Sequence, residues 1–224
     1  DNLYNVPKYH FNLRAAYAFA ARFYLFYKKY DKVIEYANLV LGQNPAEVLR
    51  DITQFTTMTQ EYAPLAEYYI RPEHTANLLM MPIFCNMAYM VNYSTGKRYM
   101  TTDLIAMNET IVSDGVWGAG SVSMFYLRPL GYSSGYYLQP KFPRLFEYTD
   151  PIGGYGYAKT VVVPFQTDEL LLARAEANIL KSSPDYNAAV ADLSLWMTRH
   201  TRSTNTLTFD ALQDYYGNPV YWAM

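Results

Sequence analysis

Carboxylates and an arginine gather toward the C-terminal side of the chain. Glu147 and Asp150 precede a helical pattern that carries Asp168, Glu169, Arg174 and Glu176. Two carboxyl groups facing each other across a sugar would serve glycoside hydrolysis, one as acid and the other as base or nucleophile. Glu147, Asp150 and Glu169 are the residues for that chemistry. The same spacing has a structural account. Asp168 and Glu169 open a helix, where negative charge complements the exposed N–H groups, and an arginine among acids suits an ion pair within a helical hairpin. The structural account is the simpler one, and no catalytic residue is expected.

Other reactive arrangements are missing from the sequence. His10, His74 and His200 lie far apart, and none has a second histidine at the third or fourth position beyond it. The single cysteine, Cys85, sits in the apolar run "MMPIFCNMAYM" and is expected to be a buried, inert thiol. Neither a zinc site nor a cofactor is expected. "GAGS" at Gly118–Ser121 lacks the lysine and following helix of a phosphate loop. No nucleophile elbow occurs.

Aromatic rings offer a different chemistry. The chain has 24 Tyr, 11 Phe and 3 Trp, and many fall between Ser113 and Gly156 among glycines, serines and prolines. Trp117, Tyr126, Tyr132, Tyr136 and Tyr137 are the candidate binding rings, with Tyr155 and Tyr157 further along. Arg128 and Asn108 are candidate hydrogen-bonding partners, joined by Asp114 and Gln139. Sugars present C–H patches on one face and hydroxyls at the rim, which this mixture matches. One ring burying about 100 Å² contributes only about 2.5 kcal/mol gross, so several must act together. Most of the tyrosines are expected to pack at core edges instead.

Helices must position these groups. Residues 8–27 show apolar steps of three and four at Leu13, Ala16, Tyr17, Ala20 and Tyr24, with further alanines that permit a close neighbour. "YDKVIEYANLVL" follows, with Val33, Ile34, Ala37, Val40 and Leu41 on one face, and Gly42 and Pro45 end it. "TDELLLARAEANIL" and "YNAAVADLSLWM" repeat the arrangement. Ala189, Val190, Leu193, Trp196 and Met197 reproduce the spacing of the five positions from Val33 to Leu41, and Tyr186 takes the place of Tyr30. Two helical hairpins of one pattern therefore flank a different region. Residues 8–70 and 165–200 read as helical repeat units of a single domain over 1–224, and 71–164 as an irregular insertion. "NLLMMPIF" fits a strand or a helical turn, and "KTVVVPF" a short extended segment. The fold class expected is mainly α, tetratricopeptide-like hairpins with an aromatic-rich loop insertion.

The bulk composition agrees with a packed globular chain: 51% of residues are hydrophobic, 17% are charged, and the net charge is −2. No basic stripe is present, so nucleic acid is not an expected partner. No apolar run is long enough to span a membrane. Both ends read as cuts within a longer protein.

Two segments, Leu13–Leu41 and Pro140–Leu180 continued by Asp185–Met197, resemble the SusD/RagB family of Bacteroidetes. The resemblance is carried by Pro140-Lys141, and by Glu169, Leu172, Arg174, Ala175, Glu176 and Ala177 in the form Glu-x-x-Leu-x-Arg-Ala-Glu-Ala. It implies a tetratricopeptide-like scaffold and a surface-exposed lipoprotein of the outer membrane. Such a protein binds a glycan, or sometimes a peptide, without catalysis, and delivers it to a SusC-like TonB-dependent porin. The family's N-terminal lipid-bearing cysteine is not in this chain, and the chain is shorter than a full member, as for a fragment anchored through a segment outside it. Ligand residues vary across the family, so none is carried over. The alternative from the hairpins alone is a protein-interaction module whose helix grooves hold a peptide.

Overall fold

Asn12 starts the first helix by accepting the backbone N–H of Ala15 at 3.0 Å through its side chain. In the computed structural model, which describes residues 4–92, 99–108, 112–121, 123–127, 130–133 and 135–217, α1 (Leu13–Phe26) then turns at Lys28 into α2 (Tyr30–Leu41). Gly42 closes α2 at φ 68°, a left-handed value that a glycine takes without strain. Much later in the chain come α6 (Thr167–Leu180) and α7 (Tyr186–His200), the latter capped by Asp185, whose carboxylate accepts from Ala188 N–H at 3.0 Å. α1 packs on α2 and α6, α2 on α6, and α6 on α7.

The faces used differ from the periodic ones. α2 buries Val33, Ala37, Val40 and Leu41 as its spacing requires. α1 buries Ala15, Ala18 and Ala21, while Leu13 points outward and Tyr17 and Tyr24 stay half-buried. Because α1 touches both α2 and α6, the side with the smallest side chains takes the closest approach, and the tyrosines move to its edge. Tyr24 stacks on Tyr36 of α2 with ring centres 5.6 Å apart. Arg174 of α6 locks the stack: its Nε and Nη2 donate to both oxygens of Asp192 on α7 at 2.9 and 2.7 Å, and its Nη1 donates to Asn38 of α2 at 2.7 Å.

Between the hairpins the expectation fails. The fold is mixed α/β, not mainly α and tetratricopeptide-like: two antiparallel three-stranded sheets stand beside the helices. The first sheet has the order β1 (Asn77–Phe84), β6 (Tyr155–Gln166), β5 (Leu145–Asp150). The second, smaller sheet has the order β2 (Thr101–Thr102), β4 (Tyr136–Leu138), β3 (Leu130–Ser133). Short helices fill the gaps: α3 (Tyr62–Tyr69), α4 (Met87–Asn92), α5 (Asp103–Asn108) and, after α7, α8 (Phe209–Tyr216). The insertion expected to be irregular thus holds the strands of both sheets, with short helices and loops between them.

The β-branched run Thr160-Val161-Val162-Val163 favours extended backbone, and it lies in the middle strand. "DPIGGYGY" is a hairpin turn: Asp150 accepts the N–H groups of Ile152 and Gly153, and Gly154 takes φ 71°. Pro164, in a strand with neighbours on both sides, is tolerated because β5 stops pairing at Lys159 and the β1 register shifts between Leu79 and Met81. Leu78, Leu79 and Phe165 of this sheet join Ala15, Val33, Leu41, Leu170, Leu171 and Ala177 in the main core. β6 runs directly into α6, so the sheet fixes where that helix begins.

Candidate functional site

The start of α6 is where the sheet, the helix stack and the aromatic segment converge, and they leave a cavity of about 580 Å³. α6 contributes Asp168, Glu169 and Leu172, and α7 contributes Trp196 and His200. Thr101 of β2, Ile105 of α5, and Gln139, Pro140 and Lys141 after β4 form another side. Arg50, Ile52, Tyr69 and Gln166 lie at the base, and Trp117, Phe125 and Leu127 come from the aromatic segment.

Each ring is placed by specific bonds. Phe125 bridges Thr201 as a lone antiparallel pair, with Tyr126 N–H donating to His200 O at 3.0 Å and Arg202 N–H to Met124 O at 2.8 Å. The segment is thereby strapped to the end of α7. Phe125 then meets Trp117 and Trp196 edge-on, at ring-centre distances of 5.4 and 6.5 Å. Trp117 sits on a tight loop closed by reciprocal bonds between Gly115 and Gly118. A Cβ at Gly115 would come within 2.3 Å of the indole, so the glycine is what lets Trp117 fold over its own loop. Asn205 holds the loop through the Val116 carbonyl at 3.0 Å.

The polar groups divide into satisfied and unsatisfied ones. Arg50, 1% exposed, donates to Tyr69 O at 2.9 Å and to the Asn77 side chain and lies 3.9 Å above the Tyr69 ring, but its buried Nε has no hydrogen-bond partner. Tyr69 OH donates to Gln166 at 2.7 Å, and Gln139 Nε2 donates to Thr101 Oγ1 at 2.9 Å. Glu169 is held by Arg22, whose Nε donates at 2.7 Å. Asp168 is 9% exposed, and its Oδ1 accepts no hydrogen bond. His200 Nε2 faces that oxygen at 3.5 Å, and its Nδ1 lies 2.9 Å from Trp196 O. The His200 ring stacks flat on the Trp196 indole at 4.6 Å. Burial pushes the His200 pKa below its ordinary 6.5; the Asp168 carboxylate and the Trp196 carbonyl oppose this, while Lys141 and Arg50 add to it. His200 is therefore neutral at pH 7, with its proton on Nδ1.

Of the binding residues singled out in the sequence, Trp117 reaches the cavity, as does Gln139; the carboxylates Asp168 and Glu169 also line it. Tyr126 packs instead into a second core around Ile52, Phe55 and Leu65, under the Arg202 guanidinium at 4.9 Å. Tyr136 packs against the core of Tyr62, Ala66, Met100 and Leu138. Tyr137 is bonded to Asp103, and burial and that carboxylate raise its pKa. Asn108 is exposed at the end of α5. Arg128 and the side chain of Tyr132 lie outside what the structure describes. Phe125, Trp196, Asp168, Lys141 and His200 were not singled out as binding residues.

The carboxylates considered for hydrolysis are otherwise engaged. Glu147 pairs with Lys159 at 2.6 Å across the β5–β6 hairpin, Asp150 caps its own turn, and Glu169 pairs with Arg22. Among the described residues, no group of three His, Cys, Asp or Glu side chains is placed to hold a metal ion, and no helix is long and apolar enough to cross a membrane.

A second cavity, about 620 Å³, adjoins the first through Trp117, Leu172 and Trp196. Val190, Leu193 and Met197 of α7 face it together with Phe209 and Leu212 of α8. Of the α7 positions that match the buried face of α2, Ala189 and Met197 are buried, while Val190, Leu193 and Trp196 are only partly covered and line this groove.

No family model matches the chain, and no curated protein or solved structure matches it either.

Proposed function

We propose that this chain is a non-catalytic glycan-binding protein whose site is the cavity at the start of α6. The observation that carries the reading is the meeting of Trp117, Phe125 and Trp196 with Gln139, Lys141, Asp168 and His200 around one opening of about 580 Å³. Ring edges and faces suit the C–H patches of a sugar, and acceptors and donors beside them suit its hydroxyls. Lys141 and Asp168 bring both signs of charge and Gln139 a neutral amide, so no single charged group of a ligand is selected. Asp168 and His200 have no serine or cysteine beside them among the described lining residues, which favours holding a ligand over attacking one.

The likeness to SusD/RagB proteins in Pro140-Lys141 and in Glu169–Ala177 extends the proposal. Both stretches border this cavity. The chain then captures an oligosaccharide or polysaccharide at the outer-membrane surface, anchored by lipid outside this segment, for a SusC-like TonB-dependent porin.

Titration calorimetry against a panel of neutral oligosaccharides tests the binding. Trp117→Ala and Phe125→Ala should each weaken the best ligand about tenfold or more, the loss of one ring contact worth roughly 1–3 kcal/mol. Binding that survives both substitutions, or no binding across the panel by a folded protein, refutes the site.

A further inference from the structure

Among the described residues lining the cavity, Arg50 Nε and Asp168 Oδ1 are buried without a hydrogen bond, and Asp168 is the acceptor of the two. Its carboxylate is mostly enclosed, yet Oδ1 lacks a hydrogen bond, and a buried carboxylate oxygen without a donor is costly to keep. The facing atom, His200 Nε2 at 3.5 Å, does not relieve it. His200 has Nδ1 against the Trp196 carbonyl at 2.9 Å, which places the single proton of the neutral ring there and turns a lone pair toward Asp168. Two acceptors then face each other with no hydrogen between them. Lys141 and Arg50 do not fill the gap: Arg50 spends its fork on Tyr69 O and Asn77, and Lys141 leans over the Tyr69 ring at 5.6 Å.

Building on the glycan-binding reading, we propose that Asp168 is the anchoring acceptor of the cavity, taking a hydrogen bond from a hydroxyl of a neutral sugar, and that His200 competes with the ligand for that carboxylate. Two hydrogens can satisfy the pair. One comes from a ligand O–H, which donates at the edge of the carboxylate that lines the cavity while His200 stays neutral. The other is a proton on Nε2, which turns the pair into an internal ion pair and leaves no strong acceptor for the sugar. The neutral class follows from the surroundings. A uronic acid would set a third carboxylate beside Asp168 and Glu169, and an amine would meet the Lys141 ammonium across the same opening.

His200 is faced by Asp168 from α6, by Lys141 from the segment after β4, by Arg50 at the cavity base, and by the Trp196 carbonyl on its own helix. Burial and the two cations hold its protonation below the ordinary pH of 6.5, against the pull of Asp168. The competing proton therefore arrives only in acid, and affinity falls as the pH drops.

The test uses calorimetry with maltohexaose, mannohexaose and xylohexaose, and with hexagalacturonate and a chitosan hexamer as charged counterparts, at about pH 7.5 and about pH 5. A neutral hexasaccharide should bind best. Asp168→Asn, whose amide can satisfy His200 by itself, should weaken it by about tenfold to a hundredfold, the loss expected for a hydrogen bond to a charged group. His200→Phe keeps a ring on Trp196 and removes the competitor, so whatever affinity it has at about pH 7.5 should not fall further at about pH 5, whereas the native chain's does. Thermal melts confirm that both variants fold, and the wild-type pH profile needs no variant. If Trp117→Ala abolishes binding while Asp168→Asn and acid leave it unchanged, the anchor is wrong and the cavity stands. If Trp117→Ala also leaves binding unchanged, the cavity reading fails and takes the anchor with it. Tightest binding of a charged hexamer overturns the ligand class.

Discussion

Lys8 shows how far a single side chain can be displaced from its ordinary behaviour. Its ammonium donates to the His74 carbonyl, and burial, reinforced by Arg14 and Arg50, lowers its pKa to about 8 from 10.5. Below about pH 8 both folded and unfolded chains hold this proton. Above it the folded chain has lost the proton and the unfolded chain has not, so unfolding takes up a proton and stability rises with pH. Tyr137 and Tyr216, whose folded pKa values are raised above 10.0 with burial the leading cause, act the other way once the pH passes 10. The urea midpoint should therefore climb between about pH 8 and pH 10, and Lys8→Met should flatten the climb. A midpoint that falls through this window in the native chain would remove Lys8 as the cause. At this scale the sequence was partly readable. Arg174 among acids suggested an ion pair and makes one with Asp192. The unsatisfied meeting of Asp168 and His200 was not readable, because it depends on how the first turn of one helix lies against the last turn of the next.

Elements are decided by their ends as much as by their periodicity, and Asn12 is the clearest case. Its Oδ1 caps α1 while its Nδ2 donates to Leu78 O at 2.8 Å, tying the helix start to β1. Asn12→Ala loses both bonds and should cost about 2 kcal/mol, roughly 1 for the cap and 1 for the tie. Asn12→Asp keeps the cap acceptor but turns a second acceptor toward the Leu78 carbonyl, so urea unfolding should find it destabilised with its helix content unchanged. Equal stability of Asn12→Asp and the native chain would mean the tie contributes nothing. All the helices of the two hairpins were legible, since apolar spacing and the stops at Gly42 and around Ser182 to Asp185 are local signals. The sheets were not. β1 and β6 pair Asn77 with Gln166 and Phe84 with Lys159, a partnership between distant stretches that no local pattern announces, and the apolar run of β1 has no period to separate strand from helix. The tyrosines of β4 looked like presented rings for the same reason. Alternation within so short a strand cannot tell which side faces a core.

The two hairpins lie at opposite ends of the described chain, yet they share one interior. Ala15, Ala18 and Ala21 of α1, Val33 and Ala37 of α2, and Leu171, Ala173 and Ala177 of α6 belong to a single core, with Trp196 of α7 packed against it. Polar ties cross the same boundary: Arg22 to Glu169, Arg174 to Asn38, and Arg199 Nη2 to Ala46 O at 3.0 Å. Neither hairpin can open without exposing the other, so the molecule should unfold in one cooperative step. Far-UV circular dichroism reports all the helices, while tryptophan emission is weighted to Trp117 and Trp196 beside the cavity, and the two should trace coincident urea curves. Ala177→Leu places extra methyl groups where α1, α2 and α6 meet with no free space. It should lower both curves together by about 1–3 kcal/mol. If tryptophan emission moved ahead of the helix signal, the aromatic segment and α7 would be a separate unit resting on a stable stack. The cavity would then be a boundary between independently moving parts, and the rigid placement on which ligand binding by Trp117, Phe125 and Trp196 depends would be lost.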